Sequence, residues 1–129
     1  YIPAQILGCL LGVMLANVFF EHDILELSTK NRDGFHIFLS EIIATFGLIF
    51  IIFATQKDGK ITIAASVATY IMAGYWFTSS TSFANPAVAI ARTFTDSFTG
   101  INYLNTPTYI LAEFLGALIA VYFIKKLIK

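Results

Sequence analysis

The sequence predicts an all-α membrane protein, built from four spanning helices and one short helix that enters the bilayer without crossing it. Its composition points to lipid as the solvent: 57% of the 129 residues are hydrophobic, 12% are charged, and the mean hydropathy is +0.77. An ordinary soluble domain carries about 25% charged residues. Four long apolar runs supply the spans, and a soluble helical bundle is a poor alternative for runs of that length and purity. The central run, Ile61–Ala91, contains no Asp, Glu, Lys or Arg. It outlasts the roughly 20 residues that one crossing needs, and it is interrupted by Thr78-Ser79-Ser80-Thr81-Ser82.

Taken in order, the first span covers about residues 2–20 and carries no charge, and the second covers 37–55 with Glu41 as its only charge. The third covers 61–77. After the Ser/Thr break, Asn85 is a favoured N-cap residue and Pro86 a favoured first helical residue, so a half-helix is expected over about 86–95. The last span covers 109–124 with Glu113 as its only charge. Non-helical backbone at membrane depth survives only where protein buries it or where it lines a watery cavity. Asn85-Pro86-Ala87 therefore marks the expected pore or transport site.

Net charge is zero, so its distribution is what informs. Lys57, Lys60, Lys125, Lys126 and Lys129 lie in the second connection and the C-terminal tail, whereas Glu21, Asp23, Glu26 and Asp33 outnumber Lys30 and Arg32 in the first connection. By the positive-inside rule the 56–60 loop and the C-terminus face the cytoplasm of a multi-pass cell-membrane protein. An even number of spans puts Tyr1 on the same side.

Reactive chemistry is not indicated. Cys9 stands alone in an apolar run, and its default role is that of a small buried hydrophobe. No CxxC or Cys/His cluster suggests a metal, His22 and His36 have no partner spacing, and no phosphate loop or nucleophile–base pair is visible. Neither an enzyme, a cofactor nor a nucleic-acid partner is expected.

An internal repeat organises the chain. Residues 1–12 align without gaps to residues 109–120: Tyr, Ile, Ala, Leu, Gly and Leu recur identically, and Gln5 is matched by Glu113. Small residues fall every fourth position, at Ala4, Gly8 and Gly12 and again at Ala112, Gly116 and Ala120, a spacing that lets helices approach closely. If 109–129 closes one repeat, 1–20 closes the preceding one. The chain then reads as the back two-thirds of a longer protein, in keeping with a first residue that is not Met and with no leader before the first apolar run.

The NPA tripeptide after a Ser/Thr-rich break, the Ala4-Gln5-x-x-Gly8 opening, the Glu41-x-x-x-Thr45-Phe46 span and the repeat together resemble the aquaporin, or major intrinsic protein, family, in an aquaglyceroporin-like form. The likeness covers nearly the whole chain. It implies an aquaporin-like bundle in which this chain supplies spans three to six and the second half-helix, with spans one and two and the first NPA lying upstream. It also implies a homotetramer in the lipid bilayer and a passive channel for water and small neutral solutes. A secondary transporter with a broken-helix site and a non-conducting fragment are the alternatives.

By the same likeness Asn85 caps the half-helix through its oxygen and offers N–H to a passing solute, while Glu41 supports the loop before it by accepting backbone N–H bonds. Members of the family usually carry Arg directly after NPA; this chain has Val88. Counting along the likeness places Ala73 and Ser82 at the other filter positions, which implies a wide, Arg-less constriction suited to glycerol, urea or neutral metalloid hydroxides. Arg92, four residues on, lies on the same helix face as Val88. It guards the outer vestibule or pairs with Asp96. Glu113 serves a buried polar contact or faces lipid near the interface.

Overall fold

A computed structural model describes residues 1–127, and Lys129, counted above among the tail's basic residues, lies outside the described residues. Five α-helices follow one another: α1, Ile2–Phe19; α2, Phe35–Thr55; α3, Lys60–Phe77; α4, Pro86–Ala91; and α5, Thr106–Leu127. A 3₁₀ turn, Arg92–Phe94, continues α4, so the half-helix expected to 95 tightens after Ala91. No strand occurs among the described residues.

Local chemistry sets the helix ends. Gly34 and Gly59 precede α2 and α3 at φ of 104° and 91°, a region that side chains make costly and glycine occupies freely. α3 stops where the Thr78 hydroxyl donates back to the Gly74 carbonyl at 2.6 Å while the Thr78 N–H takes the same oxygen. Helices α1, α2 and α5 are each long and apolar enough to cross a membrane. α3 is not among them, because Lys60, Thr62, Ser66, Thr69 and Tyr70 dilute its apolar residues.

The described chain forms two compact units. Residues 1–33 and 85–110 make the first, with α1, α4 and the connections that follow each of them; residues 34–84 and the rest of α5 make the second. The first is held by hydrogen bonds between segments far apart in sequence. The Ser28 N–H donates to the Thr93 carbonyl at 2.9 Å, the Asn102 N–H to the Lys30 carbonyl at 2.8 Å, and the Arg32 guanidinium to the carbonyls of Gly100 at 2.8 Å and Phe98 at 2.6 Å.

Helix packing holds the second unit. Gly116 on α5 meets the Ile42 carbonyl, Thr45 and Phe46 of α2 so closely that a methyl group there would overlap them. Phe46 and Phe123 pack edge to face, with ring centroids 5.9 Å apart. The Tyr70 hydroxyl of α3 donates to the Ala44 carbonyl of α2 at 2.9 Å. Glu113 is buried in this structure, which overturns the lipid-facing alternative for that side chain.

Candidate solute site

In the second unit, the chain leaves α3 through residues 78–84, a segment without glycine. Thr81, Ser82 and Ala84 nevertheless adopt φ of 64°, 51° and 50°. Such left-handed geometry costs on the order of 1 kcal/mol for each residue carrying a side chain. The segment is therefore held from outside. Glu41, fully buried on α2, accepts the Phe83 N–H at Oε2 over 3.4 Å and the Ala84 N–H at Oε1, and the Ser80 hydroxyl is a further partner. The Ser79 N–H donates to the Ser40 hydroxyl at 2.9 Å. In lipid these N–H groups have no water to turn to, so the buried Glu41 side chain accepting two of them offsets both strain and desolvation.

Of the residues expected at a filter, two belong to this unit. Ser82 is buried against Gly74, and its hydroxyl has no hydrogen-bond partner among the described residues. Ala73 is exposed on α3.

The chain re-enters the first unit at the motif itself. Asn85 is extended, with φ −159° and ψ 119°, and its Oδ1 accepts the Ala87 N–H at 3.0 Å. Pro86 follows at the helix start, where its missing N–H costs nothing. Ala87 is buried, while Val88 and Arg92 line a cleft of about 250 Å³. Opposite them on α1 are Cys9, Gly12 and Asn17. Cys9 is thus a half-exposed wall residue of this cleft and not a core hydrophobe.

The Arg92 guanidinium donates to the Thr99 carbonyl at 3.4 Å. What engages Asp96 is the first connection: its Oδ1 accepts the Thr29 N–H at 2.8 Å and the Ser28 hydroxyl at 3.2 Å. The Thr29 N–H, with help from the two hydroxyls and from Lys30, holds the Asp96 carboxyl below the usual carboxylate range. His22 does have a partner, Glu26, with Nδ1 and Oε1 2.7 Å apart, and the same Glu26 oxygen accepts the Asp96 N–H at 3.0 Å. The contacts of Asp96 join residues separated by up to 70 positions. The spacing of residues in sequence carries no signal for them.

Comparison with known proteins supplies what geometry alone does not. Over 120 residues, 93% of its length, the chain is 45% identical to the aquaglyceroporin AqpS of Rhizobium meliloti (strain 1021). The chain belongs to the aquaporin, or major intrinsic protein, family. It covers 52% of AqpS, so it spans about half the length of the curated relative it matches. AqpS bears the name of a channel protein and not of an enzyme. No family model and no solved structure matches the chain. Aquaporin membership and the three long apolar helices together identify a multi-pass membrane protein.

Proposed function

We propose that this aquaporin-family chain forms part of a passive channel for water and small uncharged solutes, and that the cleft at Val88 belongs to its solute path. The observation that carries the reading is the joint placement of Val88 and Arg92 on one wall of an open cleft directly after the Asn85-Pro86-Ala87 motif. Val88 and Ala91 give that wall apolar surface, and Asn17, Thr95, Ser97 and Thr99 add hydrogen-bonding groups. A small polyol or hydroxide exchanges its water for such groups at little cost, whereas an ion leaves a full hydration shell behind.

On the family likeness Ala73, Ser82 and Val88 stand at filter positions, and all three are compact and uncharged. Glycerol, urea and neutral metalloid hydroxides are the solutes such a filter admits. Arg92 adds a fixed positive charge four residues beyond Val88, which disfavours cations. Asn85 borders the path, and Glu41 supports the strained loop that delivers the chain to it. The basic 56–60 loop and tail set the C-terminus in the cytoplasm, and family membership adds a homotetrameric assembly.

Stopped-flow light scattering on proteoliposomes of the natural full-length protein tests this. Glycerol uptake should be fast, non-saturating and independent of ion gradients. Saturable uptake driven by an ion gradient would identify a transporter instead.

A further inference from the structure

The side chain of Asn17 is held in an orientation that suits a solute ligand. It sits near the end of α1 and is only 2% exposed. Its Nδ2 donates twice to backbone carbonyls, to Phe94 at 3.0 Å and to Ile24 at 3.3 Å. Two carbonyl oxygens can be faced only by the NH₂ end of a carboxamide, so the network assigns the amide without ambiguity. Both donors are thereby consumed and Oδ1 remains. Asn17 lines the cleft shared with Val88 and Arg92, and it also lines an adjoining cavity of about 400 Å³ bounded by His22, Ser97 and Thr99.

We infer that Asn17 is a specificity-determining residue of the solute path, its Oδ1 accepting an O–H or N–H from the passing solute. The inference rests on the channel reading above and deepens it. On one side of the cleft stands Arg92, which can only donate; on the other stands an acceptor whose direction is fixed by two backbone anchors. A polyol or a metalloid hydroxide both donates and accepts at neighbouring hydroxyls, so it can engage both walls. A pre-oriented acceptor loses little freedom on binding, and for a wide cleft lined at Val88 by hydrocarbon it supplies the discrimination that size alone does not.

The same amide also ties α1 to the end of the 3₁₀ turn, so the test must separate acceptor from anchor. Glycerol and water permeabilities are measured on the natural full-length protein and three variants at matched surface density. Asn17→Leu removes both roles. Asn17→Asp keeps acceptor oxygens and loses the two N–H anchors. Arg32→Ala loosens the same connection through Gly100 and Phe98 without touching the cleft wall.

The glycerol-to-water permeability ratio should fall about fivefold to tenfold in Asn17→Leu, in line with one lost hydrogen bond. It should stay within about twofold of the parent in Asn17→Asp and Arg32→Ala. An unchanged ratio in Asn17→Leu, or an equal fall in all three variants, would overturn the inference and leave the amide as an anchor. If Asn17→Leu fails to reach the membrane, the other two decide, because a tenfold fall in either shows that loosening alone moves the ratio. Absence of glycerol flux in the parent protein would instead defeat the channel reading itself.

Discussion

Helices α1 and α5 carry the same small-residue stripe and use it differently. On α5, Ala112, Gly116 and Ala120 are all buried, and Gly116 brings the helix against the backbone of α2. On α1, Ala4, Gly8 and Gly12 are exposed, nothing approaches Gly8 or Gly12 within 4 Å, and Gly12 borders the cleft at Val88. A missing side chain permits close approach but does not supply the partner. Within the described residues, the space saved on α5 is filled by another backbone, whereas on α1 Gly12 borders the cleft beside Asn17 and Arg92. The first unit is tied by polar straps, from Asp96 to Thr29 and from Arg32 to Gly100.

The comparison breaks first where packing and loop geometry meet in the second unit. Glu41→Leu removes the acceptor for the Phe83 and Ala84 N–H groups. Two donors left buried should cost about 2–5 kcal/mol, seen as a large loss of folded, surface-expressed protein. Gly116→Val comes next: its side chain overlaps the Ile42 carbonyl and Thr45, and overpacking of this kind costs about 1–3 kcal/mol, readable as a lower unfolding temperature in detergent.

Asp96→Ala should act locally in the first unit, speeding amide hydrogen exchange at Thr29 and leaving the second unit's protection intact. Acid should imitate it. A carboxyl whose folded value is depressed contributes fully above its unfolded value, near pH 4, and that contribution is lost as pH falls through the lower folded value. The smallest effect belongs to Gly8→Ala, which meets open space and gains helix propensity worth up to about 1 kcal/mol. A destabilisation there as large as that of Gly116→Val would mean that the two stripes are equivalent after all.

Much of the fold was legible because membrane helices announce themselves. A charge-free run falls on α1, a run with Glu41 as its only charge falls on α2, and Asn85-Pro86 stands at the start of α4, since a cap and a first-turn proline are local chemistry. Glu41 was legible as a costly intramembrane acid in want of partners, and its contacts with Phe83 and Ala84 are what such an acid requires. The left-handed geometry at Thr81, Ser82 and Ala84 was not, because no glycine marks it and the acceptor that holds it lies about forty residues upstream. Asn17 escaped notice for the same reason. An Asn near the end of an apolar helix gives no sign in sequence that two distant carbonyls will fix its amide. Nor does a lone His22 show that Glu26, one helical turn on in sequence, will meet it.

The proposed role of Val88 as a wall of the solute path is tested most directly by Val88→Arg in the natural full-length protein, with glycerol and water permeabilities measured side by side. The added guanidinium narrows the cleft and brings a fixed charge and up to five N–H donors. Glycerol flux should fall by a larger factor than water flux, about tenfold against twofold or less if the lost affinity is that of one well-placed contact. Glycerol flux untouched at normal surface expression would contradict the account, because Val88 would then stand away from the narrowest part of the path.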